Sequence, residues 1–365
     1  SAISKAGYSS GSIGIGGAVT VHVASARTFA LIGSDAVVTL NGGSLIVKAT
    51  SVDSFKTEAS AISSENSGKV GIGAGVAVAV TGADVAAGID NSARVITTET
   101  LPAVNLDIEA IHTGTESVTA KAGSAGGVSV TPALALLVSG IYVNAYLGSG
   151  SDPVYMSGDL TISAANTTSR TMTADAAAAG ASVAAGGAFG ISVVNDSVKS
   201  YLGRSVKKSA NVKVNTTSKS TMKSTVKAGA NGTREKKKSS SSDGGSSSDD
   251  GAAGEADAQA DKGIKSGSAL AGSAGTKNVN SNSVNSLSAG RQKASTSEGS
   301  VDIAAAFALN IQKNTNESYI AGGIDINADD SVSVLSYNET DAEITANGSA
   351  SNSKVGVGVA VALNI

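Results

Sequence analysis

The sequence predicts an all-β repeat protein, a β-solenoid (parallel β-helix) with about 55 residues per repeat. Three observations carry this expectation. An eleven-residue pattern recurs six times in phase, its copies are spaced at nearly constant intervals, and aromatic residues are only 3% with no Trp, so bulky rings cannot fill the core. Tandem β-sandwich modules are the alternative that the same repeats allow.

The pattern is plainest at Val70 to Val80, VGIGAGVAVAV, where Val70, Ile72, Val76, Val78 and Val80 alternate with Gly71, Gly73, Gly75, Ala77 and Ala79. A period of two is the mark of a strand. The other copies run Ile13 to Val23, Val128 to Val138, Val183 to Val193, Val301 to Ile311 and Val355 to Ile365. Large residues hold slots one, three, seven, nine and eleven, while slot five is usually small, as in Gly17, Ala74, Gly187 and Ala305. One face is therefore large and apolar and the other nearly bare. The expectation is that the large face feeds the core and the bare face permits the close approach of a neighbour.

The copies begin at residues 13, 70, 128, 183, 301 and 355, giving intervals of 57, 58, 55, 118 and 54. The doubled interval holds either a degenerate repeat or an insertion, and the composition between Gly229 and Ser300 favours an insertion. After the key strand comes a second slot, such as Asn144 to Gly148 (NAYLG) or Lys199 to Gly203 (KSYLG), ending in a Gly suited to a turn. A third slot, such as Leu106 to Ala110 (LDIEA) or Leu160 to Ala164 (LTISA), alternates apolar with polar residues and so has one wet face. Thr/Ala/Gly-rich tails follow at Ser117 to Gly127 and Arg170 to Ala181. Ala176 to Ala179 has helical propensity, but Gly180 and its place in the repeat assign it to strand or turn.

Several strands that cannot close a core alone indicate a stacked array, read here with two or three rungs per repeat. Eleven extended residues span roughly 36 Å at about 3.3 Å each. Either slot five marks a bend, or the rungs are broad.

Three regions follow: solenoid repeats over 1–228, a low-complexity Ser/Asp/Lys/Gly insertion over 229–300, and solenoid repeats over 301–365. The insertion carries Arg234 to Lys238 (REKKK) and DGGSSSDDG from Asp243 to Gly251. It has too little apolar surface to offset its ordering entropy, so it reads as a mobile surface loop.

Charge and composition restrict the functional classes. A net charge of −3 offers no electrostatic case for nucleic acid. The absence of Cys excludes disulfides and thiolate zinc sites. No basic segment followed by an apolar one opens the sequence at Ser1, so no signal peptide is read there, and the chain is read as a piece of a longer array. The uncharged run Ala122 to Ser151 is long enough to cross a membrane, but its Gly, Ser, Thr and Pro132 and its repeat phase make it strand; no membrane span is expected.

No catalytic, cofactor-binding or metal residues are assigned, and the chain is read as no enzyme needing no cofactor. The two histidines, His22 in slot ten of the first key strand and His112 after the third slot of the next repeat, stand in different registers. Gly71 to Gly75 lies along a strand instead of opening a helix, and no GxxxxGK[ST] follows. Asp329 and Asp330 point to opposite faces of an extended chain, Asp249 and Asp250 fall in the insertion, and Gly322 to Asp330 (GGIDINADD) lacks the register of a calcium-binding nonapeptide.

The combination of the GVGVAVALNI-like key strand, the AYLG/SYIAG turn, the LTISA-like strand and the Ala/Gly tail resembles the repeats of giant bacterial surface proteins, especially leukotoxin-type filamentous adhesins and autotransporter-like β-solenoid proteins. The segment Ser295 to Ile311 resembles that family too. The second repeat departs from it, since Val85 to Ile89 lacks the Tyr. The resemblance implies a structural and adhesive stalk that is exported to the bacterial cell surface or secreted, and serves cell adhesion and virulence. Its partners would be host or neighbouring-cell surface proteins or glycans, and the adjoining repeats of the same longer chain. Two other expectations stand beside it: a segment of a secreted cytotoxin acting on host membranes, and, by fold analogy alone, a polysaccharide-acting β-helix enzyme.

Overall fold

Alternation of β-branched with small residues through every repeat leaves the backbone one regular option, extended strands whose hydrogen bonds are met by the neighbouring repeat. The computed structural model describes residues 1–7, 12–62, 69–232 and 301–365. Its strands are β1 (Ala2–Ala6), β2 (Ile13–Ile32), β3 (Val37–Thr39), β4 (Leu45–Ile62), β5 (Val70–Ile89), β6 (Arg94–Ile96), β7 (Leu106–Leu147), β8 (Val154–Tyr155), β9 (Leu160–Leu202), β10 (Val206–Gly232), β11 (Val301–Ile320), β12 (Ile326–Ser351) and β13 (Val355–Asn364). The described ladders are all parallel. The fold is all-β and solenoid-like, as the repeats predict.

Each repeat forms one rung, not two or three. Ile13 pairs with Val70, Val70 with Val128, Val128 with Val183, Val183 with Val301 and Val301 with Val355. The rungs are broad: key strand and second slot merge into one strand, as in the 20 residues of β5, and third slot and tail merge likewise. Slot five is no corner. The strand runs straight through Ala74 and Gly187, and Ala176–Ala179 lies inside β9.

A rung therefore has two long sides. The first comes from β1, β4, the first half of β7, the first half of β9, β10 and β12; the second from β2, β5, the second halves of β7 and β9, β11 and β13. The chain passes between them at a corner near Gly126–Val128 and Gly180–Val183, and a short third side carries β3, β6 and β8. The residue pair Val183 and Val301 stands one rung apart, so the doubled interval spans a single step of the stack with inserted sequence at that same corner. Gly229 to Gly232, assigned to the insertion from sequence, continue β10 in register with Ala177 to Gly180. Residues 233–300, on which the mobile-loop expectation rests, lie outside the described residues.

Which face lies inside reverses the sequence expectation. Ala77, Ala135, Ala188 and Ala308 are fully buried, whereas Val138 is 37%, Phe189 44% and Ile303 46% exposed. The bare faces of the two sides meet each other, and the large faces point out. The contact is backbone-close: a Cβ added at Gly75 would stand 2.3 Å from the Lys121 carbonyl oxygen, and one at Gly73 2.6 Å from that of Gly123. Sheets bearing large side chains sit about 10 Å apart, and only Ala and Gly tolerate so narrow a gap. The rung is thus a wedge. Its thin end at the corner is filled mainly by alanines such as Ala61, Ala122 and Ala178, and its thick end at the short side by Ile89, Leu106, Ile108, Leu147 and Leu160.

Candidate functional site

Between the thin and thick ends runs a belt of buried polar side chains. Arg170 and Glu116 occupy equivalent places in successive rungs, paired in register. The Arg170 Nε donates to Glu116 Oε2 at 2.6 Å, and its Nη1 and Nη2 donate to the two oxygens of Asp196, each at 2.9 Å, from the opposite side of the rung. Thr81 and Ser139 donate to Glu116, and Ser220 to Asp196. Burial works to lower the Arg170 pKa, and the two carboxylates outweigh it and hold it above its ordinary value. The Arg170 side chain is 0% and its two acids 2% or less exposed, so a substrate has no approach to this cluster. Its role is to lock three rungs and both sides together.

His112 belongs to the same belt. It is buried, with Nδ1 2.8 Å from Asn166 Oδ1 and Nε2 3.2 Å from Asp53 Oδ2. His22 faces the interior one rung away and meets Thr57, so the structure leaves the two histidines apart. Asp329 and Asp330 are both exposed on β12, and Asp249 and Asp250 lie outside the described residues. Among the described residues no three His, Asp or Glu side chains gather as metal ligands, and no helix is long and apolar enough to cross a membrane.

A second ordered array follows the AYLG-type turns. Tyr146, Tyr201 and Tyr319 stand in register on successive rungs, with ring centroids 5.4 Å apart and planes within 8° of parallel. Lys199 Nζ lies 5.1 Å from the Tyr319 ring centroid. The missing Tyr of the second repeat has a physical reason. Gly88 pairs with Tyr146, and a Cβ there would stand 2.5 Å from the Tyr146 ring, which covers the bare position. The Tyr146 hydroxyl donates to Asp90. Burial first, and then this bond, push the Tyr146 pKa well above its ordinary value; burial and then the neighbouring Tyr319 raise that of Tyr201.

The sign of the resulting pH dependence follows from linkage. The folded chain holds these protons more tightly than the unfolded chain, whose tyrosines titrate near about 10. Stability is present in full below that value and falls as pH rises past it towards the folded pKa. Urea midpoints taken between about pH 8 and about pH 11 should fall for the native sequence, and fall less for Tyr146→Phe.

The two outer surfaces differ in kind. The first side presents Thr, Ser and alternating charges, with ion pairs Lys219–Glu339 at 2.8 Å and Lys223–Glu343 at 3.0 Å across adjacent strands. Such exposed pairs are screened by solvent and contribute little to stability. On the second side, slots one, three, five, seven, nine and eleven of all six strands point outward in register. Not one of these positions carries a polar side chain. No family model, curated protein or solved structure matches this chain.

The apolar lattice is therefore the candidate site on its own physical terms. Six strands at about 4.8 Å and eleven residues at about 3.3 Å make a rectangle of roughly 29 by 36 Å, about 1,000 Å². Soluble monomers rarely expose contiguous apolar patches beyond a few hundred Å². Polar and charged residues return past slot eleven, at Asn195, Lys199, Lys313 and Glu317. The alternation that reveals this lattice is plain in the sequence; its outward direction is not.

Proposed function

We propose that this chain is a structural and adhesive segment of a large exported bacterial surface protein, a stalk without catalysis. The observation that supports it is the one-dimensional stack, in which the strands of each rung pair in register with those of the next and the interior is filled by alanine, aliphatic side chains and a hydrogen-bonded polar belt. Such a body supplies reach, and its outer faces supply contact. Small-angle scattering should give an elongated particle whose length grows linearly as repeats are added by design. A compact profile that does not lengthen with added repeats sinks the reading.

The toxin reading gains one specific observation, the apolar lattice, which is suited to a lipid surface. Leakage of dye from liposomes on adding the isolated chain supports it; intact liposomes count against it.

A further inference from the structure

We propose that the apolar lattice of the second side is the interface of a face-to-face dimer of this chain, related by a twofold axis along the stacking direction between slots five and seven. The inference rests on the lattice itself and stands or falls apart from the stalk reading.

Size is the first argument. A patch of about 1,000 Å² on each copy exceeds the roughly 800 Å² per partner of a standard stable interface. It holds no charge or polar group that a partner would have to satisfy, and sheet faces of this type pack on one another in the manner of a sandwich core.

Shape is the second and decides the occupant. The proposed axis keeps each strand opposite its own copy and exchanges slot one with eleven, three with nine and five with seven, so the lattice maps onto itself. Slot five is the smallest row and slot seven holds the largest side chains. Phe189 of one copy then lies over Gly187 of the other, Phe307 over Ala305, and Val19 over Gly17. The chain itself leaves the space over these glycines open. A Cβ at Gly17 would meet nothing within 4 Å, and one at Gly187 only the Phe189 ring edge at 3.7 Å. A bare residue inside a strand weakens it and often marks a bend or a place where a ligand or another backbone comes close; β2 and β9 run on through Gly17 and Gly187 without a break.

Other occupants fit less well. Residues 233–300 contain only Ile264, Leu270, Val279, Val284 and Leu287 as apolar side chains of Val size or larger, too few for so wide a face. A lipid surface accepts any apolar relief and gains nothing from paired large and small rows. Lys199, Lys313 and Glu317 fall past slot eleven and so outside the contact.

The test is the mass of the whole chain in solution, by sedimentation over a range of concentrations. The expected species is twice the 35.4 kDa of one chain. Gly187→Phe places Phe against Phe and should weaken the dimer by about tenfold or more. The exchange Gly187→Phe with Phe189→Gly restores large against small and should recover it, while circular dichroism shows every variant folded. Should the exchange variant fail to fold, Val78→Lys serves in its place and should yield monomer. The proposal is overturned by a chain that stays monomeric throughout, by a dimer as tight in Gly187→Phe or Val78→Lys as in the native sequence, or by a folded exchange variant that remains weak. It is overturned in favour of lipid if the monomer floats with phosphatidylcholine vesicles.

Discussion

Ala77→Lys should abolish folding of the stack, whereas Val78→Lys, one residue on, should leave the β-sheet spectrum and cooperative unfolding intact. Ala77 is 0% exposed and faces the thin gap between the two sides, where Gly75 already brings backbone against backbone. A lysine there has neither volume nor partner, and an uncompensated buried charge costs on the order of several kcal/mol. Val78 points outward into the apolar lattice, and in the monomer its replacement belongs with surface substitutions, within about 0.5 kcal/mol. Urea midpoints at equal chain concentration separate the two. Equal loss at both positions, or loss at Val78 alone, contradicts an inward Ala77 and an outward Val78.

The second large effect is expected at Arg170. Arg170→Met leaves Glu116 and Asp196 facing each other across the rung without their cation, and should cost about 3–5 kcal/mol of unfolding free energy. Adding Glu116→Met and Asp196→Leu should return most of that loss, because a buried ion cluster replaced as a unit by apolar groups of similar volume is often neutral. Denaturant titration of the single and triple variants measures both. A single variant as stable as the native sequence would show that the cluster contributes nothing to holding the rungs.

The two results bear on what the residues themselves reveal. The repeat, its period of two and its parallel stacking are all legible from Val70 to Val80 and its copies, because alternation is a local property of the strand. The broad rung is only half legible: slots and tails are recognisable, but their fusion into 20-residue strands depends on the partner rung continuing the ladder. Orientation misleads because large apolar side chains ordinarily seek the interior. Here the tails opposite, such as Val118 to Ala122, also turn alanine inward, and two bare faces close to a distance that no pair of large faces reaches. The sequence does hold a hint of this, for both Ser117 to Gly127 and Gly71 to Ala79 are rich in small residues. Arg170 is hidden for another reason. Its acids come from a neighbouring rung and from the opposite side, and only the inward parity it shares with Glu116 ties them together in the sequence.

The breadth of the rung has a mechanical consequence. From Leu106 paired with Leu160 to Leu147 paired with Leu202, one ladder runs around both long sides with a single register shift at the corner. Tension applied along the stack crosses every boundary between rungs through both long sides at once, so the load is divided among dozens of parallel hydrogen bonds. The polar belt ties the two sides at mid-width, so that neither peels ahead of the other. A stack built this way should resist extension rung by rung and yield in steps of one whole repeat.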